Sequence, residues 1–245
     1  MNADFPCREI ARSGYVVIKN LGSGLFGTCY LCKDSLGKTV VLKQFDPASY
    51  QKNQGKNHYE ADILSTLSHS AIPNLYGTLD TREGKYLILE HMPGITLKTA
   101  LFENHKVLSD LEIARIGIQL LSVITYLHRR HLVHRDISID NILDDGVQIS
   151  LVDFGLSRGL RYGENAAQAD YYCFGEVLLF LLYSRRRAPP VSDGHAVPWY
   201  EELALSVPQI QFIRRLLDLE RRFDSPCELT SGFIAFMKEG LPEHL

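Results

Sequence analysis

The chain has no apolar run longer than the seven residues of "VLLFLLY" (177–183), far short of the roughly 20 that span a bilayer. It also lacks an excess of one charge. A formal net charge of -3 and a pI near 6.3 supply no global field that would draw nucleic acid or an acidic membrane. The one dense basic run, "SRRR" at 184–187, reads as a solvated loop after a helix or as a local docking site for acidic partners. The opening "MNADFPCREI" carries an acid and a proline where a secretory leader needs a basic start and an apolar stretch. Cysteines are few, odd in number and scattered, which argues against a disulfide framework and for a reducing compartment. Cys29 and Cys32 have C-x-x-C spacing, but "TCYLCK" reads as a strand, where positions three apart face opposite ways and do not share a metal. These absences lead us to expect a cytosolic protein that engages neither nucleic acid nor membrane.

What is present is a 45% apolar composition over 245 residues, enough for one large core or for two lobes sharing a cleft. "YVVIKNLG", "GTCYLCK" and "KTVVLKQF" are Val- and Tyr-rich runs divided by "GSG" and "DSLG" turn signals, which predicts an antiparallel sheet. One helix interrupts them at "HYEADILSTLS", where Glu60, Ile63, Leu64 and Leu67 recur on one face. A glutamate therefore falls on the buried stripe. After "YLILEHMPG" the pattern turns helical. Ser109 with Glu112, and Ser225 with Pro226 and Glu228, mark helix starts. We expect an α+β architecture with a small antiparallel sheet lobe, a hinge and a larger helical lobe.

Several polar residues have no place in a plain core. Gly22, Gly24 and Gly27 stand in G-x-G-x-x-G order between two strands. Such a strand-turn-strand covers nucleotide phosphates as a flap, whereas a dinucleotide fold would place a helix after the glycines. Lys43 ends the apolar strand "TVVLK", and a partly buried ammonium needs a partner, which the inward Glu60 supplies. "LVHRDISIDNIL" (132–143) alternates polar and apolar residues between two runs that should be buried. Asp136 is suited to accept a proton from an attacking hydroxyl, and Asn141 to turn an amide oxygen toward a metal. Asp153, after "ISLV", is a hard oxygen ligand suited to Mg²⁺.

With these motifs in one order, the chain resembles a eukaryotic-like protein kinase of the serine/threonine type, from about residue 14 to about residue 237. The resemblance rests on the G-x-G-x-F-G loop with Phe26, on Lys43 and Glu60, and on "HRDxxxxN" and "DFG". It implies a bilobal kinase fold, a single domain over 1–245 with an N-lobe to about 89, a hinge at 90–94 and a C-lobe from 95. It also implies ATP and Mg²⁺ as cofactors and a protein as substrate. Lys43 would hold the α- and β-phosphates, Asp136 would orient and deprotonate the acceptor, and Asn141 and Asp153 would bind Mg²⁺. The Glu90 carbonyl and Met92 amide would meet adenine, Leu89 would be the gatekeeper, and Cys29, Val41 and Leu143 would line the slot. Asp170 matches the aspartate that begins the buried central helix and hydrogen-bonds the catalytic-loop backbone.

Two departures stand out. Ser138 occupies the position where serine/threonine kinases usually carry a lysine, so a replacement cation from Arg158 or Arg161 is one expectation. Asp153 and Asp170 are only 17 positions apart, about half the family's interval, and no A-P-E-like sequence lies between them. The usual peptide platform is absent, and Arg222, the expected partner of the missing glutamate, is left to seek another acid, with Glu164 the candidate. Glu164 would also stand in for an activating phosphate facing Arg135, since the segment offers only Ser157 and Tyr162 as hydroxyls. Three readings follow: an active minimal kinase recognising a folded protein surface, a kinase-fold binding module without catalysis, and a small-molecule phosphotransferase.

Overall fold

The computed structural model describes residues 7–24, 27–45, 59–82, 84–159, 166–185 and 197–239. The chain divides into two compact units, residues 1–93 with 154–157, and residues 94–153 with 158–245.

The first unit is built on five strands, β1 (Val16–Gly24), β2 (Gly27–Lys33), β3 (Thr39–Phe45), β4 (Leu75–Thr81) and β5 (Gly84–Glu90), in the order β1-β2-β3-β5-β4. Every pairing is antiparallel, as the Val- and Tyr-rich runs predict. Because strand side chains alternate, the sheet has two distinct faces. One carries Tyr30, Cys32, Val40, Leu42 and Tyr86, packed with Ile10 from the short helix α1 (Cys7–Arg12) into a buried apolar cluster. Cys32 is in that cluster and Cys29 is on the other face, consistent with the expectation that the pair does not share a metal. The helix α2 (Tyr59–Thr66) buries Glu60, Ile63 and Leu64, with Leu67 buried just past its end.

Gly27 is required where it stands. Its φ is +136°, and a Cβ there would lie 1.8 Å from the Gln44 carbonyl oxygen. The close approach of β2 to β3 therefore excludes any side chain.

The second unit centres on two long helices, α3 (Asp110–Arg129) and α4 (Ala166–Tyr183). Ser109 caps α3 in the expected capping box with Glu112. The buried stripe of α3 includes Ile113, Ile116, Leu120, Ile124 and Leu127, and Gly117 lies so close to the Phe233 ring that a Cβ would meet it at 2.2 Å. Phe233 belongs to α7 (Pro226–Lys238), meets Phe174 of α4 edge-on at 5.5 Å, and is fully buried. Burial of such a ring contributes roughly 1.5–3 kcal/mol. Between α4 and α7 lie α5 (Trp199–Glu202) and α6 (Val207–Leu216). Ser225 caps α7 as expected, although Glu228 reaches back to the Asp224 amide (2.7 Å). A capping box of Ser206 with Gln209 opens α6.

Short strands carry the loops between these helices. β6 (Ile95–Thr96), β8 (Ile142–Asp144) and β9 (Ile149–Leu151) form one antiparallel sheet, and β7 (Leu132–Val133) pairs with β10 (Arg158–Gly159). A π-helical turn spans Thr99–Glu103. Two expectations need correction. Asp170 does not begin α4: the Ala-rich stretch before it is helical from Ala166, which places Asp170 in the second turn. The "SRRR" run is not simply solvated, since Arg185 pairs with Asp110 at 2.6 Å and donates to the Leu108 carbonyl (3.1 Å). Residues 186 and 187 lie outside the described residues.

Candidate active site

The sheet face opposite the apolar cluster carries most of the predicted nucleotide residues of the first unit. Cys29 is directly across from Lys43, and Val41 directly across from Leu89. Opposed residues share a face, as do residues two apart on one strand, so Cys29, Val41, Lys43 and Leu89 point the same way. Leu31 and Leu87 join them, being opposed to Val41 and Lys43. Sequence reasoning missed both, because only the register identifies them. Gly22 and Gly24 lie on β1, with Gly24 opposite Gly27; Phe26 lies outside the described residues.

Lys43 is 2% exposed and Glu60 5%. The Nζ ammonium donates to both carboxylate oxygens at 2.7 Å, and the Phe154 amide donates to Glu60 Oε1 at 3.2 Å. A desolvated pair held this way is costly to break from one side. Glu90, at the end of β5, is fixed by Asn74, whose backbone and side-chain nitrogens both donate to Oε2 (3.2 and 2.6 Å). Asn74 is a residue that sequence reasoning did not single out. Met92 is buried.

In the second unit, the segment 134–141 is organised by Asp170, which is completely buried. Its carboxylate accepts the backbone amides of His134 (3.0 Å) and Arg135 (2.7 Å) and lies 2.8 Å from His128 Nε2. This matches the expected contact with the loop backbone. Arg135 sits at φ +69°, a conformation in which the two amides converge on one carboxylate. Asp136 follows directly, and its amide donates to His134 Nδ1 (3.3 Å). His128 and His134 are both buried; His134 belongs to the H-R-D motif but was given no role from sequence, and His128 was not singled out, its available signal being a histidine at the end of an apolar helical stripe.

Asn141 Nδ2 donates to the Asp136 carbonyl and to its Oδ2, both at 2.9 Å. The amide nitrogen is thus engaged by Asp136, leaving Oδ1 as the atom for an electrophile. The Val152 amide donates to the Asn141 carbonyl (2.9 Å), which brings Asp153 next to the same loop. Asp153 has φ +64° and stands at the boundary between the two units, Phe154 belonging to the first. Ser138 is half-buried within the loop and Leu143 half-buried on β8. Among the described residues, no cluster of three or more His, Cys, Asp or Glu forms a metal cage. Asn141 and Asp153 instead offer separate oxygen ligands, the kind of set Mg²⁺ accepts when phosphates and water complete its shell.

Two further groups near the loop, Cys173 and Tyr171, are held in their neutral forms. Burial, followed by the Asp170 and Glu176 carboxylates, pushes the Cys173 thiol up to about 11, and burial with Asp170 pushes Tyr171 up to about 12. Neither is poised as a nucleophile at neutral pH. Ser157 is 1% exposed. Arg222 forks onto Asp218 (2.5 and 2.7 Å), while Glu164, Arg161 and Tyr162 lie outside the described residues.

Known proteins share sequence with this chain over most of its length. The protein kinase domain matches residues 15–188. The chain is 32% identical over 217 residues to the "Probable serine/threonine-protein kinase YbdM" of Bacillus subtilis, covering 85% of this chain and 84% of that one. It is 40% identical over 163 residues to serine/threonine-protein kinase PknA of a Nostoc species, and 37% over 151 residues to mouse mitogen-activated protein kinase kinase kinase 3. Those stretches cover 61% and 58% of this chain but only 28% and 24% of the relatives. Among the described residues, no helix is long and apolar enough to cross a membrane.

Proposed function

The chain belongs to the protein kinase family, and on that premise we infer that it transfers the γ-phosphoryl group of ATP, with Mg²⁺, to a serine or threonine hydroxyl of a protein. The observation that carries the reading is the Asp136 carboxylate held by Asn141 Nδ2 on a loop whose backbone is fixed by buried Asp170.

When bound, Mg²⁺ neutralises phosphate charge and orients the transferring group. Asn141 Oδ1 and the Asp153 carboxylate are the oxygen donors that fit it. Lys43, held in place by Glu60, directs its ammonium to the α- and β-phosphates. Cys29, Val41 and Leu89, sharing one sheet face, offer adenine an apolar wall, and Leu143 has the same role by resemblance. The Glu90 carbonyl and Met92 amide take its polar edge, and Gly22, Gly24, Phe26 and Gly27 cover the phosphates. Asp136 accepts the proton of the acceptor hydroxyl, the general-base step. Residues 1–245 then act as one kinase domain with its hinge at 90–94, and Cys29, Cys32, Cys173 and Cys227, which form no disulfide, fit a reducing, cytosolic setting.

The acceptor is a folded protein surface. Only residues 154–165 separate Asp153 from α4, too few to build the shelf on which an extended peptide lies. Incubation with γ-labelled ATP, Mg²⁺, a mixture of proteins and a panel of small alcohols tests the reading. Label on protein Ser or Thr supports it, whereas label confined to alcohols, or ATP binding with no transfer, contradicts it.

A further inference from the structure

The loop that ends at Asn141 is held from outside by residues 96–98. Thr96 lies opposite Leu143 in the ladder of β6 with β8. The Lys98 amide donates to the Ile139 carbonyl at 2.9 Å, and the Lys98 ammonium donates to Asp140 Oδ1 at 2.7 Å. Residues 139, 140 and 143 are thus gripped on both sides of Asn141. The gripping segment is itself fixed, with Leu97 1% exposed and the Thr99 amide donating to Thr96 Oγ1 at 3.0 Å. The loop turns here, closed by the Asn141 amide on the Ser138 carbonyl (3.0 Å). Asp140 is the third residue of that turn, and among the described residues its carboxylate bonds only to Lys98. Residues 137–141 include no cation, so the charge that meets Asp140 comes from another segment.

We propose that Lys98 is a positioning residue for phosphotransfer: its ammonium, through Asp140, sets the 138–141 turn so that Asn141 keeps its place against Asp136. The proposal rests on the phosphotransfer reading for its effect on the reaction, while the grip itself is open to a separate measurement. Stability gives little reason for the pair. Both side chains are 54% exposed, and an ion pair so open to water contributes little to folding. Its place gives a better one. Asn141 Nδ2 holds the Asp136 carbonyl and Oδ2, both at 2.9 Å, so a shift of the turn moves the base and the amide oxygen offered to Mg²⁺ together. A misplacement of about 1 Å at reacting groups is enough to cost about 100-fold in rate. The Lys98 backbone bond to Ile139 survives any change of side chain other than to proline, so removing the ammonium tests the charge alone.

The test compares the full chain with Lys98→Met, Lys98→Arg, Asp140→Asn and the double variant Lys98→Met with Asp140→Asn. Amide hydrogen exchange at Asn141 is read without nucleotide or metal. The saturating transfer rate, the KM for ATP and the Mg²⁺ requirement are read with γ-labelled ATP and the protein mixture used above. We expect Lys98→Met and Asp140→Asn each to speed exchange at Asn141, to lower the rate about fivefold and to raise the Mg²⁺ requirement about threefold. KM for ATP should stay within about twofold, and the melting temperature within about 2 °C, of the parent. The double variant should be no worse than either single one, because both remove the same contact. Lys98→Arg should restore exchange and rate to within about twofold. Unaltered exchange and rate in Lys98→Met overturn the proposal, as does a slower rate with unaltered exchange or one that Lys98→Arg fails to restore. A melting temperature that falls in step with the rate assigns the pair to stability and also overturns it. Faster exchange in Lys98→Met, when the parent itself transfers no phosphoryl group, upholds the grip and contradicts the phosphotransfer reading. Unaltered exchange together with no transfer overturns both.

Discussion

The backbone amide of Arg135 donates to Asp170 Oδ1 at 2.7 Å while Arg135 occupies φ +69°. A fully buried carboxylate on a helix thus holds the residue immediately before the candidate base in a backbone conformation it would otherwise rarely adopt. Asp170→Asn keeps one acceptor oxygen but turns an amide NH₂ toward donors. We expect a loss of about 3 kcal/mol in unfolding free energy and a fall in turnover larger than the fall in ATP affinity. Denaturant unfolding and steady-state kinetics on the same preparation check this.

The Lys43–Glu60 pair gives a second prediction. Lys43→Met leaves a buried carboxylate without its ammonium and should cost about 3–5 kcal/mol, along with most of the turnover. The double substitution Lys43→Met with Glu60→Leu should recover much of the stability and none of the activity. Recovery of activity in the double variant would show that the pair has only a structural role.

Glu112 gives a pH prediction. The Ser109 amide, then the Lys106 ammonium, hold its carboxyl at about 2 against an ordinary 4.5. Its folded pKa is depressed, so its stabilisation is complete above about pH 4.5 and is lost as pH falls through about 2. Glu112→Ala should therefore cost about 1 kcal/mol near neutrality, and the gap between the two proteins should close over that acid window in chemical denaturation.

Much of this fold was legible from spacing. The alternation of β1 to β5 and the three-and-four spacing of Glu60, Ile63 and Leu64 are local signals, and each survives in the structure. The capping box at Ser109 is similarly local. Pieces decided by tertiary contact were not legible. α1 is six residues long and matters because Ile10 covers a sheet face. The strands β6 to β10 run two or three residues, too short for any period. At the site, residue types and order named Lys43, Glu60, Asp136, Asn141 and Asp153. The supporting residues His128 and Asn74 emerged only from hydrogen bonds across 42 and 16 positions, which the sequence motifs did not specify, and the H-R-D motif includes His134 without specifying its bond to the Asp136 amide.

Regulation yields a fourth prediction. Ser157 is buried, out of reach of a modifying enzyme in the folded state. Unphosphorylated recombinant protein should be active, and Ser157→Ala with Tyr162→Phe should retain turnover within about twofold. Glu164→Gln, which removes the proposed stand-in for a phosphate, should lower it. Mass spectrometry to establish the unphosphorylated state, paired with turnover, decides the matter; activity that appears only after phosphorylation would contradict the account.

The most direct measurement is single-turnover phosphotransfer by Asp136→Asn, alongside its melting temperature and ATP affinity. The carboxamide preserves the shape of the side chain but cannot accept the proton of the acceptor hydroxyl. We predict a folded protein that still binds Mg²⁺-ATP and transfers phosphoryl at least about 100-fold more slowly than the parent. Transfer at the parent rate by this variant would contradict the assignment of Asp136 as the base, and with it the central claim.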